Sequence, residues 1–142
     1  MKVFSYWSGT LTWMEQLSIA SILSTGHELT IYSYEPNALR GSVPCKVADA
    51  RELLDNSALD DLRRARPYSF SNLLRLEGLD QELGTWLDLD IVMVKSLPGD
   101  AHLFGWESQR QVCNAVLRFP RECLAFQAYL KLCREQPNSN GK

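Results

Sequence analysis

Asp88 and Asp90 are the residues of this chain whose type and spacing best admit chemistry. They stand two apart in Trp86-Leu87-Asp88-Leu89-Asp90-Ile91-Val92, a run that is otherwise strongly apolar. On an extended strand, side chains at i and i+2 share a face, so both carboxylates point one way while Leu87, Leu89 and Ile91 point the other. Two like charges on a mostly buried strand are unfavourable unless something compensates them. A hard divalent cation, which takes carboxylate oxygens and keeps positions open for water and phosphate, is the obvious compensation. The plainer alternative is a strand end with two solvated or capping carboxylates.

The elements that must position this pair follow from pattern and punctuation. A first strand is expected over residues 3–7, ending at Ser8-Gly9, and a helix then starts at Thr12 with Glu15 three residues on, the capping-box spacing. Met14, Leu17, Ala20, Ile22 and Leu23 give that helix its expected apolar side, and Gly26 stops it. Residues 29–34 read as a second strand. The strand-helix-strand order with short connections implies a right-handed crossover and a parallel pair.

Residues 36–44 read as a loop and 45–48 as a short strand. Asp49-Ala50-Arg51-Glu52 is a second helix start, with helical segments over 50–54 and 57–65 stopped by Pro67. A further helix over 70–79 carries Leu73, Leu74, Leu76 and Leu79, and Gly84 marks the turn into the strand of the Asp pair. That strand is expected to be a third or fourth parallel member, its carboxylates near the carboxyl end where open α/β sheets place ligands. Residues 97–100 form a turn, 103–107 a short strand or loop, and 112–119 a strand. A last helix runs from Pro120 at its first turn to about Glu135. The tail, 136–142, has no core-forming residues and is expected to be disordered. The expectation is one α/β domain over residues 1–135.

At 142 residues, 45% hydrophobic and 23% charged, the chain has the composition of a soluble globular protein able to bury a core without disulfides. A net charge of -2 with no dense basic run points away from nucleic acid and from anionic membrane surfaces. Arg63-Arg64-Ala65-Arg66, at a helix end, is read as complementing the helix dipole. No transmembrane stretch and no signal-peptide pattern are seen, so the expected location is the cytoplasm. Cys45, Cys113, Cys123 and Cys133 form no Cys-x-x-Cys pair and read as reduced, partly buried thiols.

Taken in order, three segments resemble the DXD-motif sugar-nucleotide glycosyltransferases of GT-A fold, in particular the capsular-polysaccharide and α-1,4-glycosyltransferase-like group related to glycosyltransferase family 32. Phe4-Ser5-Tyr6-Trp7-Ser8-Gly9 resembles the family's first strand and its Trp-x-Gly turn. Ser71-Asn72-Leu73-Leu74-Arg75 resembles its Ser-Asp-x-x-Arg, with Asn72 where the family has Asp. Gly84-Thr85-Trp86-Leu87-Asp88-Leu89-Asp90 resembles its Gly-Gly-x-x-x-Asp-x-Asp. Phe104-Gly105-Trp106-Glu107 and Asn114-Ala115-Val116 resemble the segments that close the donor-sugar and acceptor side.

The resemblance implies a GT-A-like, Rossmann-like, mostly parallel sheet flanked by helices. It implies that Asp90 binds Mn2+ or Mg2+ directly and that Asp88 holds ribose and metal. Arg75 would face donor phosphate or sugar, or hold Asp88 in place, and Asn72 would bond a sugar hydroxyl. Tyr6 and Trp7 would stack on the base above Gly9, with Trp106, Glu107 and Asn114 on the acceptor side. Family domains continue further and often add a late histidine ligand, a position that neither His27 nor His102 occupies. The chain thus resembles the donor-binding half of such an enzyme, truncated or reduced.

The function implied is a metal-dependent, retaining transferase of polysaccharide biosynthesis, moving a sugar from a nucleoside diphosphate, UDP by expectation, to a saccharide or glycolipid acceptor. The alternatives are a non-catalytic or degenerate nucleotide-sugar-binding remnant, and an α/β interaction domain whose Asp pair is incidental. A missing portion of sheet would leave an apolar face open to self-association, so a homo-oligomer is a secondary expectation.

Overall fold

Alternation along three strands decides the layering. In the computed structural model, which describes residues 1–135, Val3, Ile31 and Leu87 project to one side of the sheet, and their neighbours Phe4, Tyr32 and Trp86 project to the other. The strands are β1 (Lys2–Tyr6), β2 (Glu28–Ser33), β3 (Lys46–Asp49), β4 (Thr85–Leu87), β5 (Leu103–Ser108) and β6 (Gln111–Arg118). They form one six-stranded sheet in the order β3-β2-β1-β4-β6-β5. β3, β2, β1 and β4 are parallel, whereas β6 runs antiparallel to both β4 and β5.

The first face is covered by helix α1 (Trp13–Ser24), the short α2 (Pro36–Leu39) and the segment 91–97. The second is covered by α3 (Asp60–Ala65), α4 (Pro67–Asp80) and α5 (Leu124–Glu135), which bury Leu62, Phe70, Leu74, Phe126 and Leu130 against Phe4 and Trp86. Arg63 and Arg64 stand in the last turn of α3 as expected of dipole partners, and each also pairs back to Asp60 or Asp61. No helix of the described residues is long and apolar enough to cross a membrane. The expectation for residues 136–142 lies outside the described residues.

The Thr12 capping box forms as read, Glu15 accepting from the Thr12 backbone N–H at 2.6 Å. The face that α1 buries keeps Ile22 and half-buries Leu23 of the expected side, but not Met14, Leu17 or Ala20. Glu15, Ser18, Ile19, Ser21 and Ile22 are buried, while Met14 and Leu17 are 45% and 47% exposed. Glu15 is drawn in by the Thr12 cap, and Ser21 by residues 91–97, which cross this helix as an irregular strap whose backbone N–H groups need acceptors. Ser21 Oγ takes the Met93 N–H at 2.9 Å and His27 Nε2 takes the Leu97 N–H at 3.1 Å. Arg118 closes the far end by donating to the Pro98 and Asp100 carbonyls.

Other boundaries moved for local reasons. Pro67 starts α4 rather than merely ending α3, because the first helical position needs no N–H. Residues 36–44 contain a helical turn opened by Pro36. The last helix starts at Leu124, not Pro120, since residues 120–123 form a turn closed by Cys123 N–H to Pro120 C=O. The segments over 50–52 and 57–59 are 3-10 turns. All four cysteines are free and half-buried.

The His27 contact makes the strap sensitive to acid. Burial, then the positive N-terminus, with a smaller push from Arg118, hold the imidazole below its ordinary pKa, against a small upward pull from the Met1 backbone. A histidine depressed in the folded state contributes stability above its unfolded pKa of about 6.5 and loses it as pH falls. His27→Gln keeps an acceptor for Leu97 but cannot titrate. Urea midpoints measured between pH 7.5 and 5 are expected to fall less steeply for this variant than for the wild type; equal slopes would remove His27 as the cause.

Candidate functional site

The strand order reverses at β1, which has β2 and β3 on one side and β4, then β6, on the other. In an open α/β sheet that reversal opens a crevice at the carboxyl ends of the central strands. A cavity of about 560 Å³ lies there. Its floor is Ser5, Tyr6 and Trp7 at the end of β1 with Trp86, Asp88, Leu89 and Asp90 at the end of β4. One wall is Tyr68, Ser71, Asn72 and Arg75, whose i, i+3, i+4, i+7 spacing presents a single face of α4. Met14 and Glu15 of α1 and Asn114 of β6 complete it.

β4 is shorter than expected, ending at Leu87, so the two carboxylates stand just beyond the strand. The alternation nevertheless carries on: Leu89 is buried with Leu87 while Asp88 turns to the opposite side. The Asp88 backbone N–H donates to the Ala115 carbonyl of β6 at 2.8 Å, so contact with β6 continues one residue past the strand. Asp90 is exposed at the mouth.

Asp88 is held by two donors on one oxygen. Arg75 Nη2 donates to Oδ1 at 2.8 Å and Trp86 Nε1 donates to the same atom at 2.6 Å. The guanidinium carbon lies 4.7 Å from the Trp86 ring centroid, a cation-π contact. Burial pushes the Asp88 carboxyl up, Arg75 and Trp86 pull it back, and Asp90 adds to the rise. Burial likewise lowers Arg75, which is 5% exposed, against the restoring charge of Asp88. Burial also raises the Tyr6 hydroxyl. Three donors of cavity-lining residues, Ser5 Oγ, Trp7 Nε1 and Arg75 Nε, are buried without a hydrogen-bond partner among the described residues. Such groups are uncommon in a finished core; Ser18, His27 and Arg63 carry three more away from the cavity.

No family model matches the sequence, and no curated protein matches it. Among solved structures, one titled "PaToxG Glycosyltransferase" aligns with 99% of this chain at a TM-score of 0.70 and 16% sequence identity. The fold is GT-A-like. The chain is a distant structural relative of a known glycosyltransferase and spans 61% of that protein's length.

Within this GT-A-like frame, Tyr6, Trp7, Asn72, Arg75, Asp88, Asp90 and Asn114 are brought to one cavity. Asn114 Nδ2 donates to Asn72 Oδ1 at 3.4 Å, linking β6 to α4 across the opening. Tyr6 also packs edge-on against Tyr34 and Phe70, with ring centroids 6.2 and 6.1 Å away, so most of its ring is committed to the protein. Gly9, with φ of 97°, lines a separate groove beside Thr10, Gln16 and Glu35. Trp106 and Glu107 lie on β5 outside the cavity lining; Trp106 is 66% exposed and Glu107 accepts from Gln111 at 3.0 Å.

Sequence reading missed Trp86 as a partner of Asp88, although the i, i+2 rule that paired the carboxylates also puts Trp86 on their face. It also missed Tyr68 and the α1 contributors Met14 and Glu15. The α4 spacing signals Tyr68; nothing in sequence signals the other two.

Among the described residues no three or more His, Cys, Asp and Glu side chains converge. Asp88 and Asp90 still fit Mn2+ or Mg2+, because such ions are often held by one or two carboxylates with substrate phosphates and water filling the remaining positions.

Proposed function

We propose that this chain is a metal-dependent, retaining glycosyltransferase domain that takes a sugar from UDP to a saccharide or glycolipid acceptor. The observation carrying this reading is the Asp88-Asp90 pair at the switch-point cavity, with Asp88 held by Arg75 and Trp86. The family resemblance of the ordered motifs supplies the donor class and retention of configuration.

Asp90, exposed at the cavity mouth, and Asp88 would hold the cation. The cation supplies Lewis-acid stabilisation of the diphosphate as charge develops on it. Arg75, ion-paired to Asp88, opposes the upward push of burial on that carboxyl and fixes its direction. Trp7 lines the floor on which a base would rest, the Tyr6 ring being packed against Tyr34 and Phe70, and the Asn72-Asn114 amide pair offers neutral groups for sugar hydroxyls.

A second reading, a nucleotide-sugar-binding module without turnover, is favoured by Asn72 in place of the family's Asp. Both readings demand the same donor site. A ligand at about 100 times its dissociation constant adds about 2.7 kcal/mol, a midpoint rise of about 5–10 °C for a domain of this size. Thermal unfolding is expected to show that rise with Mn2+ and UDP together, and to lose it in Asp90→Ala without a fall in the apo midpoint. Absence of any rise in the wild type would sink both readings. Turnover of UDP-sugar separates them.

A further inference from the structure

We infer that Trp86 is a positioning residue that decides which oxygen of Asp88 faces the cavity. The inference rests on the donor-site reading above and adds a residue to it. Both side-chain bonds that hold Asp88 end on Oδ1, from Trp86 Nε1 at 2.6 Å and Arg75 Nη2 at 2.8 Å. The oxygen left for a cation or a ribose hydroxyl is Oδ2.

An arginine beside a carboxylate ordinarily prefers the two-point fork, with parallel N–H groups on both oxygens. Here that pairing would consume Oδ2 as well. Trp86 opposes it in two ways: its N–H shares Oδ1 with Arg75 Nη2 and so holds the carboxylate turned toward the indole, and its ring face lies under the guanidinium with the carbon 4.7 Å from the centroid, fixing the approach of Arg75. Trp86 is 1% exposed, so its own orientation is set by the core it shares with Phe4, whose ring meets it edge-on at 5.4 Å. The strand thus imposes the rotamer of Asp88 through its neighbour two residues earlier. Without the indole N–H, Arg75 is free to take both oxygens and the carboxylate is withdrawn from the cavity.

The test removes the N–H and little else. Replacing Trp86 by 3-benzothienylalanine substitutes sulfur for the N–H in a ring of nearly the same shape, and Trp86→Phe is the coarser companion. Free Mn2+ is followed by electron paramagnetic resonance during titration into protein with saturating UDP. Outer partners of metal ligands typically change affinity about 10- to 100-fold, and a loss in that range is expected for the benzothienyl protein with its apo thermal midpoint within about 2 °C of wild type. Wild-type affinity in that protein overturns the inference. If the wild type itself fails to take up Mn2+ with UDP, the donor-site reading fails, and the indole resonance judges the positioning separately. A Trp86 N–H signal far downfield that moves on Asp88→Asn supports it; an unshifted one overturns it.

Discussion

Arg75→Met is expected to cost about 3 kcal/mol of stability and to abolish Mn2+-dependent UDP binding. Arg75 lies 5% exposed on α4, and its ion pair is with Asp88, not with the nearby Glu77, which is taken by Arg134. Methionine fills much of the same volume, so the cost is electrostatic: the Asp88 carboxylate, already pushed up by burial, loses the charge that offsets that burial. A double variant, Arg75→Met with Asp88→Asn, removes the stranded charge and leaves an amide oxygen for the Trp86 N–H. It is expected to recover most of the stability and none of the binding.

The sign with pH follows. A carboxyl whose folded pKa is raised binds its proton more readily in the folded state, so the deficit of the single variant should shrink as pH falls and grow as pH rises past about 4. Urea denaturation of the four proteins of this cycle gives the coupling directly. A coupling below about 0.5 kcal/mol would mean that Arg75 and Asp88 stabilise the fold independently.

Much of the site was legible because strand geometry projects sequence spacing directly onto a surface. The period of two placed Asp88 opposite Leu87 and Leu89, and it did so even though β4 ends before the carboxylates. The parallel core, the capping box at Thr12 and the helix ahead of the Asp pair were likewise written in local patterns. What was hidden depended on segments without a period. The buried face of α1 reads as poor in hydrophobic residues partly because Ser21 serves the strap over 91–97, and no local pattern announces an acceptor for a distant N–H. Trp106 and Glu107 sit near the motif in sequence, yet the antiparallel β5-β6 pair carries them to the sheet edge while Asn114 comes back to the cavity.

The parallel entry of β4 beside β1 sets the register on which the site depends, Val3 opposite Thr85 and Phe4 opposite Trp86, and Gly84 is what permits it. Gly84 has φ of 125°, and a Cβ there would stand 2.8 Å from the Lys2 carbonyl carbon and closer still to its oxygen. Two costs therefore add in Gly84→Ala: a backbone conformation that side chains avoid, and a collision with main chain that cannot rotate away. Each is about 1–3 kcal/mol, so a loss of about 4 kcal/mol is expected. Gly41 separates the two, since its φ of 83° carries the conformational cost while a Cβ there meets nothing within 4 Å. Gly41→Ala is therefore expected to lose only about 1–2 kcal/mol. Because relief of the collision must push β4 away from β1, Gly84→Ala is also expected to weaken Mn2+-UDP binding in whatever fraction stays folded, whereas Gly41→Ala leaves it intact. Equal losses in the two variants, by urea denaturation, would show that β4 yields without cost and that the register of the Asp88 strand is held from the β6 side instead.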